Sequence, residues 1–239
     1  MVTLTYQERF KTERGVFDNF TERNLFELQS RGYFDELTSP YKIGKESNVF
    51  LARKGKGRVI VKIYRVQNCD FKRMFNYIKK DPRYDYLKNK RRDIIFAWAQ
   101  REYKNLIKVR ESKVHSPLPY TWKNNILIEE MIGSVEPALP LKDCPSKNPP
   151  RFFQEVIEGI QKMYDHGLIH GDLSAFNILN FKEKPYFIDF SQSTLVKTPN
   201  SLELLQRDIK NIVQYFRTQG VKADAEEIYQ KMIDPDKEE

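Results

Sequence analysis

Ile169-His170-Gly171-Asp172-Leu173-Ser174-Ala175-Phe176-Asn177-Ile178-Leu179, followed by Tyr186-Phe187-Ile188-Asp189-Phe190, is the stretch on which the fold turns. Its polar residues stand singly between apolar ones. Ile178 and Leu179, like Phe187 and Ile188, read as short buried strands, and Gly171 permits a tight turn before Asp172. Such strands hold polar side chains at their ends, where a rigid site is easiest to build. Upstream, Pro149-Pro150 opens a helix whose apolar face is Phe152, Phe153, Val156, Ile157, Ile160, Met163 and Tyr164, and Gly167 closes it. Downstream, Leu202 to Phe216 reads as an amphipathic helix and Asp224 to Met232 as a short last one, before an acidic tail.

An Asp, an Asn five residues on and a second Asp twelve beyond that are the residue types phosphoryl transfer needs. The migrating group is highly charged and has to be positioned and neutralised more than attacked covalently. Asp172 is the candidate base for a hydroxyl proton. Asn177 and Asp189 offer a neutral and a charged oxygen to Mg²⁺, a hard cation, on the phosphates of ATP.

The preceding part of the chain supplies the partners. Asn48 to Ala52 and Arg58 to Tyr64 read as strands joined by a Lys54-Gly55-Lys56-Gly57 turn. On the second strand Ile60, Lys62 and Tyr64 share one face, and a Lys set in so apolar a run needs a charged partner or water. ATP phosphates and a helix carboxylate would satisfy it. A helix marked by Ile94, Ile95, Trp98, Tyr103, Leu106 and Ile107 offers Glu102, with Glu111 as the alternative nearer its end. The turn Ile43 to Val49 could lay backbone N–H groups over phosphates. Asn125 to Gly133 reads as a buried strand leaving through a Gly, the place of an adenine-contacting hinge in a two-lobed kinase. Residues 134–150, with five prolines, read as a linker.

The chain has 239 residues and 40% apolar content, enough for one domain or two small lobes sharing a cleft. Its longest apolar runs are too short to span a bilayer, and Met1 to Arg9 lacks a signal-peptide core. Cys69 and Cys144 lie far apart, and one of three histidines sits inside the motif, so no zinc site and a reducing, cytoplasmic setting are expected. The net charge is +8, and residues 67–92 hold much of the excess, with Tyr77, Tyr84 and Tyr86 interleaved among Lys and Arg. That composition suits a phosphate backbone and stacked bases, or a solvated mobile loop.

Together, Gly44-Lys45-Glu46-Ser47-Asn48-Val49-Phe50, Val61-Lys62-Ile63-Tyr64, Trp98-Ala99-Gln100-Arg101-Glu102, His170-Gly171-Asp172-Leu173-Ser174 and Ile188-Asp189-Phe190-Ser191-Gln192-Ser193 resemble the RIO family of atypical serine/threonine protein kinases. The Gly-Lys-Glu-x-Asn-Val loop, the Ser-Gln-Ser after Asp189, and Leu205 to Ile212 are similar to its first type. The resemblance implies an α+β, two-lobed protein-kinase-like fold, with a small β-rich N-lobe and a mostly helical C-lobe. The activation segment and peptide-docking helices would be trimmed, since only about a dozen residues follow Asp189 before the next helix. The expected organisation is a helical extension over 1–39, an N-lobe over 40–132 with a basic flexible insertion at about 67–92, and a C-lobe over 133–239.

By the same resemblance Asp172 is the base, and Asn177 and Asp189 bind Mg²⁺. Lys62 holds phosphates and pairs with Glu102. Lys45, Glu46, Ser47, Asn48 and Val49 contact ATP, Glu130, Met131 and Ile132 form the hinge, and Ile60, bulkier than the Ala usual in kinases, shapes the adenine pocket. The family further implies that Asp189 can accept phosphate, in an aspartyl-phosphate ATPase cycle or beside autophosphorylation. It also implies work on the pre-small ribosomal subunit and its rRNA, with 67–92 as the contact. Two other readings stay open: a small-molecule kinase of the aminoglycoside or choline type, and a non-catalytic RNA-binding scaffold.

Overall fold

The computed structural model describes residues 18–66 and 70–234. The start of the expected N-terminal helical region, Cys69 and the acidic tail lie outside the described residues. Asp18 opens the first helix, α1 (Asn19–Ser30), accepting the Thr21 N–H at 2.8 Å. Thr21 lies buried inside the helix rather than at its cap, and its hydroxyl oxygen accepts from Asn125 Nδ2 at 3.0 Å.

Five antiparallel strands follow in the spatial order β1-β2-β3-β5-β4: β1 (Glu36–Ile43), β2 (Ser47–Lys54), β3 (Gly57–Tyr64), β4 (Pro119–Lys123) and β5 (Ile126–Glu130). Ser39-Pro40, expected as a boundary, lies inside β1. The strand tolerates it because β1 is an edge, where a missing N–H costs no ladder bond, and its register shifts on both sides of Pro40. Strand β3 is central. Its Val59, Val61 and Ile63 pack with Leu25 and Leu28 of α1, so this helix belongs to the sheet's own core. Ile60, Lys62 and Tyr64 face the opposite way, as the period of two requires.

Much of the basic segment's described part is helical, with turns over residues 85–90. It forms α2 (Phe71–Lys79), capped by Asp70, and a 3₁₀ turn at Pro82–Tyr84 capped by Asp81. Met74, Ile78 and Tyr84 are buried against Ile94, Ile95 and Trp98 of α3 (Arg91–Glu111). Apolar residues at i, i+4 and i+10 thus fold a stretch whose overall charge reads as solvated. Ile107, counted in the apolar stripe of α3, is instead 40% exposed.

The second lobe is built on α4 (Pro149–Asp165), α5 (Ser201–Thr218) and α6 (Ala225–Ile233), with two short strand pairings among β6 (Leu168–Ile169), β7 (Ile178–Phe181), β8 (Lys184–Phe187) and β9 (Thr194–Leu195). Strand β6 pairs with β9, β7 with β8, and Pro140 bridges to Leu179. Residues 190–200 carry the chain from Asp189 to α5 through one 3₁₀ turn and β9. No helical insertion stands there, so the trimmed two-lobed α+β expectation describes this chain. The lobe's core is close packed where α4 crosses β8. A Cβ on Gly159 would stand 2.7 Å from two ring carbons of Phe187, which is 1% exposed.

Gly159→Ala is therefore expected to lower stability by about 1–3 kcal/mol, despite the better helix propensity of Ala. Denaturant unfolding measures it; a midpoint at or above that of the parent would show that the ring has room to move.

Candidate active site

The site is a cleft of about 540 Å³ between the sheet and the helical lobe. At its back Lys62 Nζ donates to Glu102 Oε1 at 2.8 Å and to Asp189 Oδ1 at 2.9 Å. The Tyr64 hydroxyl closes on the other Glu102 oxygen, Oε2. Lys62 and Glu102 are buried, whereas the Asp189 side chain is 40% exposed to the cleft. Burial works to lower the Lys62 ammonium, but the Asp189 and Glu102 carboxylates outweigh it and hold it well above its ordinary value. Burial likewise opposes ionisation of Asp189, and the charge and hydrogen bond of Lys62, with Ser191 Oγ donating at 2.8 Å, hold it well below the usual carboxylate range. Glu102 is raised, burial prevailing over Lys62. Glu111, the alternative, ends α3 in solvent.

Asp172 follows a turn that only a left-handed residue allows: Gly171 has φ 76°, and a Cβ there would meet Gln192 O at 2.9 Å. Asp208 of α5 fixes this turn, its two carboxylate oxygens accepting the N–H groups of Gly171 at 2.7 Å and Leu173 at 2.9 Å. Gln192 Nε2 donates to Asp172 Oδ2 at 3.0 Å, and its Oε1 accepts from Arg73 of α2 at 3.1 Å. Burial first, and then the Asp189 carboxylate, raise Asp172, which makes it a better proton acceptor than a free carboxylate. Asn177 donates its Nδ2 to Asp172 O at 2.8 Å, so its amide oxygen is oriented as the acceptor.

Asp189 itself has φ 63° and ψ 66°, a conformation costing a non-glycine residue on the order of 1 kcal/mol. The turn after it is held from α3. Asn105 Nδ2 donates to Phe190 O at 2.9 Å and Ser193 O at 3.0 Å, and Arg101 Nη1 to Ser191 O at 3.0 Å. Arg101 is fully buried and pairs at 3.0 Å with the equally buried Asp81.

Of the residues marked from sequence, Lys45, Glu46, Ser47, Val49, Ile60, Lys62, Glu130, Met131, Ile132, Asp172, Asn177 and Asp189 all line the cleft. Glu102 stands behind Lys62. Asn48 is the exception: alternation turns it away from Ser47 and Val49, it is 2% exposed, and its Oδ1 accepts from Arg65 at 3.1 Å. Its side chain therefore props the loop rather than lining the cleft. Tyr64, Arg101, Asn105, Gln192 and Asp208 were not singled out. Trp98, Arg101, Glu102 and Asn105 follow the spacing of one helix face, so a polar stripe within a buried face was the available signal. Gln192 and Asp208 lie in the Ser191-Gln192-Ser193 and Leu205 to Ile212 stretches that carry the resemblance, but neither spacing nor periodicity gives either a role.

The RIO domain family model matches residues 48–228, most of the chain. The chain belongs to the RIO family. This RIO chain is 39% identical over 236 residues to the RIO-type serine/threonine-protein kinase Rio1 of Methanocaldococcus jannaschii, covering 96% of itself and 81% of that relative. It is 31% identical to the human serine/threonine-protein kinase RIO1, covering 96% of itself but 43% of that longer protein. By structure it is similar to Rio2 kinase from Chaetomium thermophilum in an ADP/Mg²⁺-phosphoaspartate complex, with a TM-score of 0.68, 23% identity, and coverage of 88% of this chain and 65% of that one. That likeness shows the kinase-like fold.

His170 makes the site acid-sensitive. Its Nε2 donates to Ile188 O at 3.0 Å in the neutral tautomer, and its buried Nδ1 has no partner, so a second proton would be buried unpaired. Burial, partly offset by the Ile188 carbonyl, lowers it from 6.5 to about 4. Between those values the unfolded chain binds a proton that the folded chain refuses, so stability falls as pH drops through this window. The loss from pH 6.5 to 5 is expected to be roughly 1.5 kcal/mol, and His170→Gln should abolish that share of the slope. Unfolding of both proteins across this range checks it; equal slopes would refute it.

Proposed function

We propose that this RIO chain binds MgATP in the cleft and transfers the γ-phosphoryl group, as a RIO-type serine/threonine kinase or ATPase. The observation that carries the reading is the Lys62–Glu102–Asp189 cluster opening onto the same cavity as Asp172 and Asn177. One carboxylate and one amide oxygen fit Mg²⁺, which keeps several waters and needs few protein ligands. Asn177 and Asp189 would hold it, and it would neutralise phosphate charge when bound. Lys62 would hold phosphate oxygens, with Glu102 fixing its direction. The Lys45 to Val49 turn would cover the phosphates, and Glu130 to Ile132 would border the base.

Two acceptors are compatible with this geometry. A serine or threonine hydroxyl would attack the γ-phosphorus as the bond to ADP breaks, with its proton passing to Asp172. Alternatively an Asp189 carboxylate oxygen would bond to the γ-phosphorus as ADP leaves. Water would then attack the phosphorus, Asp172 would take its proton, and inorganic phosphate would depart from a regenerated carboxylate. The kinase-like neighbour named above was captured with a phosphoaspartate, which supports considering the second course. The protein-kinase names of the relatives favour both over a small-molecule kinase.

We further infer that the chain acts in the cytoplasm on the pre-small ribosomal subunit. Support comes from exposed Lys72, Lys79, Lys80, Lys88, Lys90, Arg91 and Arg92 and from Tyr86, 73% exposed, all suited to an RNA backbone. Among the described residues no helix is long and apolar enough to cross a membrane.

Incubation with γ-labelled ATP and Mg²⁺ tests the chemistry. Asp172→Ala is expected to lose at least about a hundredfold in turnover. A hydroxylamine-labile label lost in Asp189→Asn would mark the aspartyl-phosphate, a hydroxylamine-resistant one the hydroxyl route, and full turnover in Asp172→Ala would overturn the assigned base. For the RNA contact, Arg91→Glu with Arg92→Glu should weaken binding to small-subunit rRNA at low salt and flatten its salt dependence; unchanged affinity would remove this segment as the contact.

A further inference from the structure

Glu129 and Glu130 of β5 line the cleft and Glu102 stands behind Lys62; of these three acids two are already engaged. Glu102 is held by Lys62 and Tyr64, and Glu130 accepts the Leu118 N–H at 3.1 Å. The third, Glu129 of β5, lines the cavity half-buried, and its carboxyl makes no hydrogen bond or ion pair with any described residue. It lies directly across the β3–β5 ladder from Ile60, so their side chains share the cleft face. Ile60, Met131 and Ile132 line the same cavity, and the Glu102 and Lys62 charges act on it from behind. An acid in such company loses hydration without a protein partner in return, a cost that a bound ligand can relieve.

Its position limits what that ligand group can be. Lys62 lies two residues along β3 from Ile60 and marks the phosphate end, while Met131 and Ile132 mark the other end of the cleft. Glu129 sits between them, beside the wall where a base would lie. Adenine presents on its outer edge an amino donor at N6 and an acceptor at N7, whereas guanine presents two acceptors, O6 and N7. A carboxylate accepts from N6 and repels both guanine acceptors. A carboxylic acid accepts from N6 while donating to N7, but can satisfy only one of the two guanine acceptors. Burial first, then the neighbouring Glu102 charge, push Glu129 up to about 8, so the acid form is present at neutral pH. Adenine is favoured by either form.

We infer that Glu129 reads the N6/N7 edge of the nucleobase and makes the cleft select adenine over guanine nucleotides. This inference rests on the reading that the cleft holds a purine nucleoside triphosphate.

Dissociation constants of MgATP and MgGTP for the full chain, for Glu129→Leu and for Glu129→Gln test it. The parent is expected to prefer ATP by roughly tenfold or more. Glu129→Leu should bring the two nucleotides to within about threefold, by weakening ATP, as loss of one hydrogen-bonding partner predicts, without weakening GTP. Glu129→Gln should keep ATP and tighten GTP, because a rotated amide can donate to O6. Thermal unfolding of each variant confirms the fold, and a generally damaged cleft would weaken both nucleotides alike rather than change their ratio. A parent that binds both equally, or a Leu variant that keeps the parent's ratio, overturns this inference alone. A parent that binds neither overturns the cleft reading and this inference with it.

Discussion

The Lys62 ammonium is the contact on which the site depends. It joins three pieces of chain far apart in sequence: the central strand β3, helix α3 through Glu102, and the turn at Asp189 from the other lobe. A buried cation is costly by itself, and a buried carboxylate equally so. Each is tolerable because the opposite charge is within 2.9 Å. The net stabilisation of such a group is small, but its specificity is not. Any displacement of β3, α3 or the Asp189 turn strands a charge, so the cluster fixes the positions of the two walls of the cleft relative to each other.

A second layer of polar contacts holds the backbone rather than the side chains. Asp208 grips the N–H groups on either side of Asp172, and Asn105 and Arg101 grip the carbonyls after Asp189. The left-handed conformation of Asp189 persists because these donors over-determine the turn that follows. Both grips come from helices, α5 and α3, which share one core through Leu106 and Val109, while the first half of α3 packs in a second one with Met74 and Tyr84. The positions of the two key aspartates are thereby tied to packing some distance away.

The basic segment enters the same network. Asp81, in its 3₁₀ turn, neutralises Arg101, and Arg73 of α2 reaches Gln192 and through it Asp172. A surface suited to a polyanion and the proposed base are thus separated by two side chains.

Much of the site was legible in sequence because its chemistry is local. The Asp172, Asn177 and Asp189 spacing lies on one short strand–turn–strand unit, and the alternation that buries Val59, Val61 and Ile63 necessarily turns Ile60 and Lys62 the other way. The same alternation, applied one strand back, would have set Asn48 apart from Ser47 and Val49. What sequence alone could not decide were contacts between elements distant along the chain. The choice of Glu102 over Glu111 depends on how α3 is rotated and slid against β3. The folding of residues 70–92 depends on a partner face on α3 for Met74, Ile78 and Tyr84, which charge counting does not see. The backbone grips of Asp208 and Asn105, and the unpartnered carboxyl of Glu129 beside Ile60, exist only once strand register and helix packing have been set. Side-chain periodicity fixes which way a residue faces; only tertiary packing fixes what it faces.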